Sequence, residues 1–139
     1  MIVLDTNVVS EVFKDRVNPQ VERWLNQQIA GSLYLAATSL AELLFGIEIL
    51  PAGRRKSLLA RELGNLLGIL FQDRILPFDL QAAQTYSRMT ARARTIGKPL
   101  PFGDGQIAAI AQVHGYTVAT RDTRPFEAAG VAFLNPWEL

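Results

Sequence analysis

The sequence of 139 residues has no cysteine and a single histidine. These absences exclude disulfide bonds, cysteine-ligated zinc, thiol catalysis and any metal site that needs two histidines. An excess of charge of one sign is also absent, because 14 Lys and Arg residues nearly balance 13 Asp and Glu residues and the formal net charge is +1. Such a balance argues against general electrostatic adhesion to nucleic acid and leaves room for a local basic patch.

Long hydrophobic runs are also absent, since no stretch approaches the roughly 18 uncharged apolar residues of a membrane-spanning helix. The apolar start Met1–Leu4 is interrupted at Asp5 and has no preceding basic residues, so we predict no targeting segment. Hydrophobic residues make up 49% of the chain, enough for one core and too many for a disordered protein. We therefore expect one domain over residues 1–139, in the reducing cytoplasm and away from membranes.

Short apolar runs alternate with longer helical stretches along the whole chain. The predicted strands cover residues 2–4, 33–36, 75–77, 117–119 and 131–134. The predicted helices cover residues 6–14, 19–29, 39–50, 54–71, 80–97, 103–114 and 123–129. Gly64 and Gly68 weaken the fourth, for which two shorter helices are the alternative. This alternation indicates an α/β fold, a three-layer α/β/α sandwich with a mainly parallel central sheet.

Four acidic residues stand at predicted junctions between strands and helices: Asp5, Glu42, Asp104 and Asp122. Asp5 and Asp122 directly follow apolar strands, and Glu42 and Asp104 lie in the predicted first turns of helices. Ligands of open parallel sheets bind outside the carboxyl ends of the strands. The four carboxylates would meet at that edge if the strands that precede them are neighbours.

Helix capping is the alternative role for each acid, because a carboxylate in the first turn accepts free N–H groups and opposes the helix dipole. Ser39-Leu40-Ala41-Glu42 has the spacing of a capping box. Asp104 fits this role less well, since the apolar stripe at Ile107, Ala108 and Ala111 places it on the core-facing side of its helix. A buried carboxylate without a partner costs several kcal/mol.

A hard divalent cation resolves the repulsion between such carboxylates, and oxygen ligands without His or Cys favour Mg²⁺ or Mn²⁺. An ion of this kind can polarise a phosphoryl oxygen and activate water, so the residues alone indicate phosphodiester hydrolysis. No phosphate-binding Gly-rich loop is present. His114 precedes a helix-ending glycine, where it is interpreted as a structural residue rather than a catalytic one.

Four segments, in order, resemble the motifs of PIN domains, and most closely those of VapC- and FitB-type toxins of toxin–antitoxin pairs. The segments are Ile2-Val3-Leu4-Asp5-Thr6-Asn7, Thr38-Ser39-Leu40-Ala41-Glu42-Leu43, Asp104-Gly105-Gln106-Ile107-Ala108-Ala109, and Ala119-Thr120-Arg121-Asp122 with Phe126 and Leu134-Asn135-Pro136-Trp137. The resemblance covers essentially the whole chain.

The resemblance implies a Mg²⁺- or Mn²⁺-dependent endoribonuclease that cuts tRNA, rRNA or mRNA, forms a homodimer and is inhibited by a cognate antitoxin. By motif position, Asp5, Glu42 and Asp104 would be catalytic and hold the metal. Asp122 would be a fourth catalytic acid. Pro125 departs from the family pattern, where an acid often precedes the phenylalanine. Thr6 and Asn7 would orient a carboxylate or a water on the ion.

Arginines are the candidate RNA contacts, with Arg121 and Arg124 favoured because they flank Asp122. Arg88 and Arg92 are i, i+4 neighbours that could form a second stripe or only a solvated helix face. The aromatic residues Trp24, Phe45 and Tyr86 lie at helical spacing from aliphatics, so we expect them in the core.

Two other functions stay open on the sequence. One is a catalytically inactive PIN-like module that binds RNA or protein, which the presence of all three expected acids disfavours. The other is a phosphodiesterase that uses the same ions on DNA or on small molecules.

Overall fold

The computed structural model describes residues 1–139 and contains a five-stranded sheet in the order β3-β2-β1-β4-β5. All four neighbouring pairs are parallel. The strands are β1 (Ile2–Leu4), β2 (Leu33–Ala36), β3 (Ile75–Leu76), β4 (Thr117–Ala119) and β5 (Phe133–Leu134). The predicted parallel sheet is confirmed, since each strand arises from one of the apolar runs in the sequence.

Seven helices connect and cover the strands. They are α1 (Thr6–Val12), α2 (Pro19–Asn26), α3 (Ala37–Glu48), α4 (Arg54–Leu66), α5 (Leu80–Thr95), α6 (Phe102–His114) and α7 (Arg124–Ala129). Capping residues determine the starts of two helices as predicted: Asn18 accepts hydrogen bonds from the first turn of α2, and Asp79 caps α5. Gly115 ends α6 in the left-handed conformation, at φ 69°.

Two hydrophobic cores lie on opposite faces of the sheet. Val3 and Leu4 are consecutive in β1, and their side chains enter different cores because strand residues alternate between faces. One core packs α5, α6 and α7 against the sheet through residues such as Met89, Ile107 and Phe126. The other packs α1 to α4 through Val8, Trp24, Leu43 and Leu63, among others. The three-layer α/β/α prediction is confirmed.

Some predicted boundaries were wrong. Gly64 and Gly68 do not divide the fourth helix, because α4 continues into a π-helical turn over Leu67–Phe71 that ends with Phe71 fully buried. The last strand is shorter than predicted, since the Val131 N–H turns back to the Phe126 carbonyl and only Phe133–Leu134 pair with β4. None of the helices combines the length and the apolar character needed to cross a bilayer.

The order of the strands creates a switch point between β1 and β4. From β1 the chain builds β2 and β3 on one side and later β4 and β5 on the other. The first residues after β1 and β4 therefore meet, and the Asp5 N–H donates to the Ala119 carbonyl at 2.9 Å. Crevices of this kind are where α/β sheets bind ligands.

Candidate active site

Asp5 occupies the switch point and is only 5% exposed. Its carboxylate accepts hydrogen bonds from the Thr6 N–H at 2.7 Å, the Thr120 hydroxyl at 2.7 Å and the Asn7 amide at 3.2 Å. The ion pairs of the structure all lie elsewhere, so no Lys or Arg neutralises Asp5 within 4.0 Å. Only neutral donors compensate this buried acid.

Burial is the main cause of a raised pKa at the Asp5 carboxyl, and repulsion from Asp122 adds to it. The hydrogen bonds from Thr120, Thr6 and Asn7 favour the ionised form and offset part of the rise. The ionised carboxylate is thus held in place while its charge stays uncompensated.

Asp104 lies in the first turn of α6, as predicted, and is partly buried. Its pKa is raised to about 6, first by burial and then by repulsion from Asp5, Glu42 and Asp122 in that order. Repulsion from all three shows that α6 brings Asp104 to the edge where the other acids lie. No salt bridge involves Asp104.

Glu42 lies in the second turn of α3, so its predicted first-turn position and the capping box with Ser39 were wrong. The helix begins at Ala37 directly after β2, with Ala36 as a cap that has no capping side chain. Glu42 instead contacts the start of α6, because a Cβ added to Gly103 would lie 3.3 Å from Glu42 Oε1. Partial burial and then repulsion from Asp5 raise the pKa of Glu42.

Asp122 is exposed, in the turn between β4 and α7. Its carboxylate accepts from Arg124 Nε at 3.2 Å, and its backbone N–H donates to the Thr120 hydroxyl at 3.2 Å. The repulsion that it exerts on Asp5 and Asp104 places it at the same pocket. The structure therefore gathers all four predicted acids at one edge of the sheet.

Asn7 and Thr120 connect the segment that follows β1 with the segment that follows β4. Asn7 donates to Asp5 and accepts from the Arg121 N–H at 3.2 Å, while Thr120 is fully buried and donates to Asp5. Sequence reasoning assigned an orienting role to Asn7 and none to Thr120. The signal for Thr120 was its position directly after a strand that neighbours β1, which only the strand order reveals.

The residues present fit a hard divalent cation. The neighbouring side chains offer oxygen donors only, and they repel one another. The Thr6 hydroxyl lies next to Glu42 and lowers its pKa, against the burial and the repulsion from Asp5 that raise it. The structure nevertheless holds no group of three or more Asp, Glu, His or Cys side chains that is arranged to bind a metal ion. The carboxylates are electrostatic neighbours around a pocket, and the assignment of ligands stays a prediction.

The four candidate arginines occupy different environments. Arg92 donates to the Ala129 carbonyl at 3.1 Å and so ties α5 to the end of α7. Arg124 pairs with Asp122. Arg88 is exposed on α5 with only the Thr85 hydroxyl at 3.5 Å. Arg121 lies over the Trp137 ring, its guanidinium carbon 5.4 Å from the ring centre.

Of the three aromatic residues expected in the core, Phe45 was placed wrongly, because it is 65% exposed on α3. Trp24 is buried as predicted, and Tyr86 is half-buried with its ring edge-on to Phe78 and Phe102. Tyr86 also explains Gly105: a Cβ there would lie 2.8 Å from the tyrosine ring, so only glycine lets α6 approach α5 here.

A groove of about 660 Å³ opens beside the pocket, between α1, α3 and α4. Thr6 and Glu42, which lie next to Asp5 at the acidic edge of the sheet, also line this groove. Further along, the groove is apolar, lined by Phe13, Leu43, Ile47, Leu50, Leu58, Leu59 and Leu63, with Lys14 and Arg55 at its side. The acidic pocket is thus continuous with an apolar channel.

Comparison with known proteins gives matches over nearly the whole chain. The family model "PIN domain" matches residues 2–131. The chain is 49% identical over 139 residues to VapC ribonuclease Y4jK of Sinorhizobium fredii and 45% identical over 137 residues to Toxin FitB of Neisseria gonorrhoeae, each covering 99% of both chains. Its fold matches a chain in the structure of FitAB bound to an IR36 DNA fragment with a TM-score of 0.95 and 44% identity, over 100% of this chain and 97% of that one.

Proposed function

The chain belongs to the PIN-domain family, and from this premise we propose that residues 1–139 form one metal-dependent endoribonuclease domain. It hydrolyses phosphodiester bonds of RNA with Mg²⁺ or Mn²⁺ and is the toxin of a toxin–antitoxin pair. The observation that carries the proposal is that Asp5, Glu42, Asp104 and Asp122 lie close enough at one edge of the sheet to repel one another, where three of them have raised pKa values and none of those three has a cationic partner.

Asp5, Glu42 and Asp104 would hold the ion, and Asp122 would complete the pocket. When bound, the ion polarises a phosphoryl oxygen and lowers the pKa of water near the scissile phosphorus. Asp104 would then face a cation that offsets the burial and the repulsion that raise its pKa. The cost of gathering four acids is then offset by ligand binding.

Orientation of the Asp5 carboxylate falls to three neighbours. Thr120 and Asn7 both donate to Oδ2, and the Thr6 N–H donates to Oδ1. Hydrogen bonds to a ligating carboxylate set its direction, and losing one typically costs about 10–100-fold in metal affinity or activity. Because Thr120 is itself buried, this orientation does not depend on a mobile side chain.

An antitoxin is the partner that we assign to the groove between α1, α3 and α4. The related FitB is named a toxin and occurs as FitAB in a solved complex. A partner helix with an apolar face fits the leucine-rich channel, and a basic side chain following it would reach the acids through Glu42. Inhibition would then come from covering and neutralising the pocket. A homodimer in the cytoplasm follows from the family resemblance.

Mapping of transcript 5′ ends after brief expression tests the proposal. Wild type should produce new RNA ends that are absent with Asp5→Asn expressed at the same level. Parallel assays of the purified protein on RNA, single-stranded DNA and a simple phosphodiester separate a ribonuclease from other phosphodiesterases. Without cleavage of any of these and without stabilisation by Mg²⁺ or Mn²⁺, the function would be that of an inactive binding module.

A further inference from the structure

Arg121 lies in a segment that is fixed to the acidic pocket by its backbone. Its N–H donates to Asn7 Oδ1, the same side chain that donates to Asp5. Its neighbours in sequence are Thr120, bonded to Asp5, and Asp122. The backbone of Arg121 is therefore fixed by the same hydrogen bonds that hold the residues around Asp5.

The side chain of Arg121 is exposed but seated on an aromatic surface. Its guanidinium lies over Trp137 at 5.4 Å, within the range of a cation–π contact. No carboxylate lies within 4.0 Å of it, and Glu11, whose pKa it lowers slightly from a distance, is already paired with Lys14 at 2.6 Å. The guanidinium thus keeps its charge and its hydrogen-bond donors free.

Trp137 is held from two sides. Its backbone N–H donates to the Asn135 side chain at 3.0 Å, and its half-buried ring packs against the hydrophobic core that includes residues of α1 and α2. A stacked guanidinium loses less rotamer freedom on binding than a free one, because the ring has already restricted it. The other candidate arginines lack this support, as Arg124 is paired with Asp122 and Arg92 with a helix end.

We infer that Arg121, stacked on Trp137, is a preorganised binding site for a backbone phosphate of the RNA strand that enters the acidic pocket. The inference rests on the proposed ribonuclease function and adds the position at which the strand is held. Trp137 acts as a positioning residue, since it touches Arg121 and no phosphate. The acids of the site repel a polyanion, so an unpaired cation on the segment that carries Asp122 would hold the strand at a distance from them.

Binding of a short, labelled, single-stranded RNA of mixed sequence tests the inference, with EDTA present so that nothing is cut. Fluorescence anisotropy at several salt concentrations gives the affinity and its salt dependence. Arg121→Ala should weaken binding about tenfold and reduce the slope of log K against log salt by about 0.7, the value for one contact to a single strand. Arg61→Ala, which removes an exposed charge on α4, is the matched control and should change neither quantity by as much.

Trp137 variants separate positioning from general packing. Trp137→Leu should weaken binding by about two- to fivefold, the range of an exposed cation–π contact, and Trp137→Phe should restore most of the loss. In an Arg121→Ala background, Trp137→Leu should cost nothing further, because the two residues act as one unit. An equal cost in both backgrounds would overturn the role of Trp137.

Tryptophan fluorescence supplies a readout that does not depend on affinity. In a Trp24→Phe background Trp137 is the sole tryptophan, and RNA binding at Arg121 should change its emission, whereas Arg121→Ala should abolish the change. If wild type binds RNA but neither slope nor emission responds to Arg121, the inference fails and the ribonuclease proposal stands. If wild type does not bind RNA at all, both fail.

Discussion

The two ends of α1 each carry a shielded carboxylate, and the two differ in what surrounds them. Asp5 precedes the helix and Glu11 lies in its last turn, at 5% and 4% exposure. Glu11 pairs with Lys14 and accepts from the Asn18 N–H at 2.9 Å. Asp5 lies deep in the protein and faces neutral donors and further acids.

The opposite pKa shifts of these two acids follow from their partners. The bond from Lys14 lowers the pKa of Glu11 despite its burial, whereas burial and like charge raise the pKa of Asp5. Glu11 therefore contributes to stability through a cation that the protein itself provides. Asp5 lacks such a cation, and in our proposal the bound metal ion takes its place. Similar burial at the two ends of one helix thus serves structure at one end and function at the other.

The largest expected effect is on the rate of RNA cleavage, which should depend on the acid before α1, Asp5, and not on the acid in its last turn, Glu11. Asp5→Asn or Asp104→Asn should lower RNA cleavage by on the order of 10³-fold, because several kcal/mol of transition-state stabilisation depend on the ion. Glu11→Ala should cleave at close to the wild-type rate when folded. Initial rates on one RNA substrate, with circular dichroism to verify folding, make the comparison. Cleavage by Asp104→Asn at the wild-type rate would remove Asp104 from the site.

Metal binding should raise the free energy of unfolding through Asp5, which has no cationic partner in the protein, and not through Glu11, which pairs with Lys14. Mg²⁺ or Mn²⁺ at 100 times its dissociation constant should add about 2.7 kcal/mol to the free energy of unfolding. The gain should shrink strongly in Asp5→Asn and persist in Glu11→Ala. Thermal or urea unfolding with and without the ion measures it, and an equal gain in all three proteins would place the ion elsewhere.

Loss of the structural acid should reduce stability instead of activity. Glu11→Ala leaves the Asn18 N–H and the Lys14 ammonium without their acceptor, at a cost of about 1–3 kcal/mol. Asp104→Asn should be neutral or stabilising in chelator, since it removes repulsion from three acids. Urea unfolding in EDTA tests both, and a destabilised Asp104→Asn would contradict the repulsion between the acids.

The smallest effect is a difference in pH dependence without metal. Because the pKa of Asp104 is about 6 in the folded protein against 3.8 for a free carboxyl, the folded state binds more protons than the unfolded state between these values. Its contribution to stability therefore falls as pH rises from about 4 to about 6. Glu11, with a lowered pKa, contributes the opposite trend, in which stability is lost as pH falls below its ordinary value of 4.5.

Unfolding of the chelated protein across this pH range measures the difference. Asp104→Asn should lose the decline above about pH 4, and Glu11→Ala should lose the decline at lower pH. Identical pH profiles for wild type and Asp104→Asn would show that Asp104 titrates normally.

Fold prediction succeeded where the signals were local. Continuous apolar runs such as Ile2–Leu4 marked strands buried on both faces, and Asn18-Pro19 and Gly115 marked helix ends. The start of α3 was missed because the helix begins at Ala37, before Ser39, which was expected to cap it, and the Thr38 hydroxyl donates at long range to Gln106 at 2.8 Å, 68 residues away. A capping motif cannot be recognised locally when its side chain has a distant partner.

The positions of Asp5, Asp104 and Asp122 were predictable because each lies just after a strand or at the start of a helix, whereas Glu42 lies one turn further into α3 than predicted. Their neighbours were less so. Thr120 was not assigned, and the sequence favoured Arg121 and Arg124 equally, whereas the structure separates them: Arg124 pairs with Asp122 and Arg121 lies over Trp137. Trp137 and the Ala129 carbonyl that Arg92 meets lie on other elements, so spacing in the sequence carries no information about these contacts.

Residue order alone determined an alternating α/β chain, its motifs and the oxygen-only chemistry of its acids, since apolar periodicity and residue type act over a few positions. The strand order decided the rest. It put β4 beside β1, so that Thr120 meets Asp5 and Arg121 reaches Asn7 across more than a hundred residues. Burial and like charge shift the pKa values of the acids only after that assembly, because both depend on what other parts of the chain bring close.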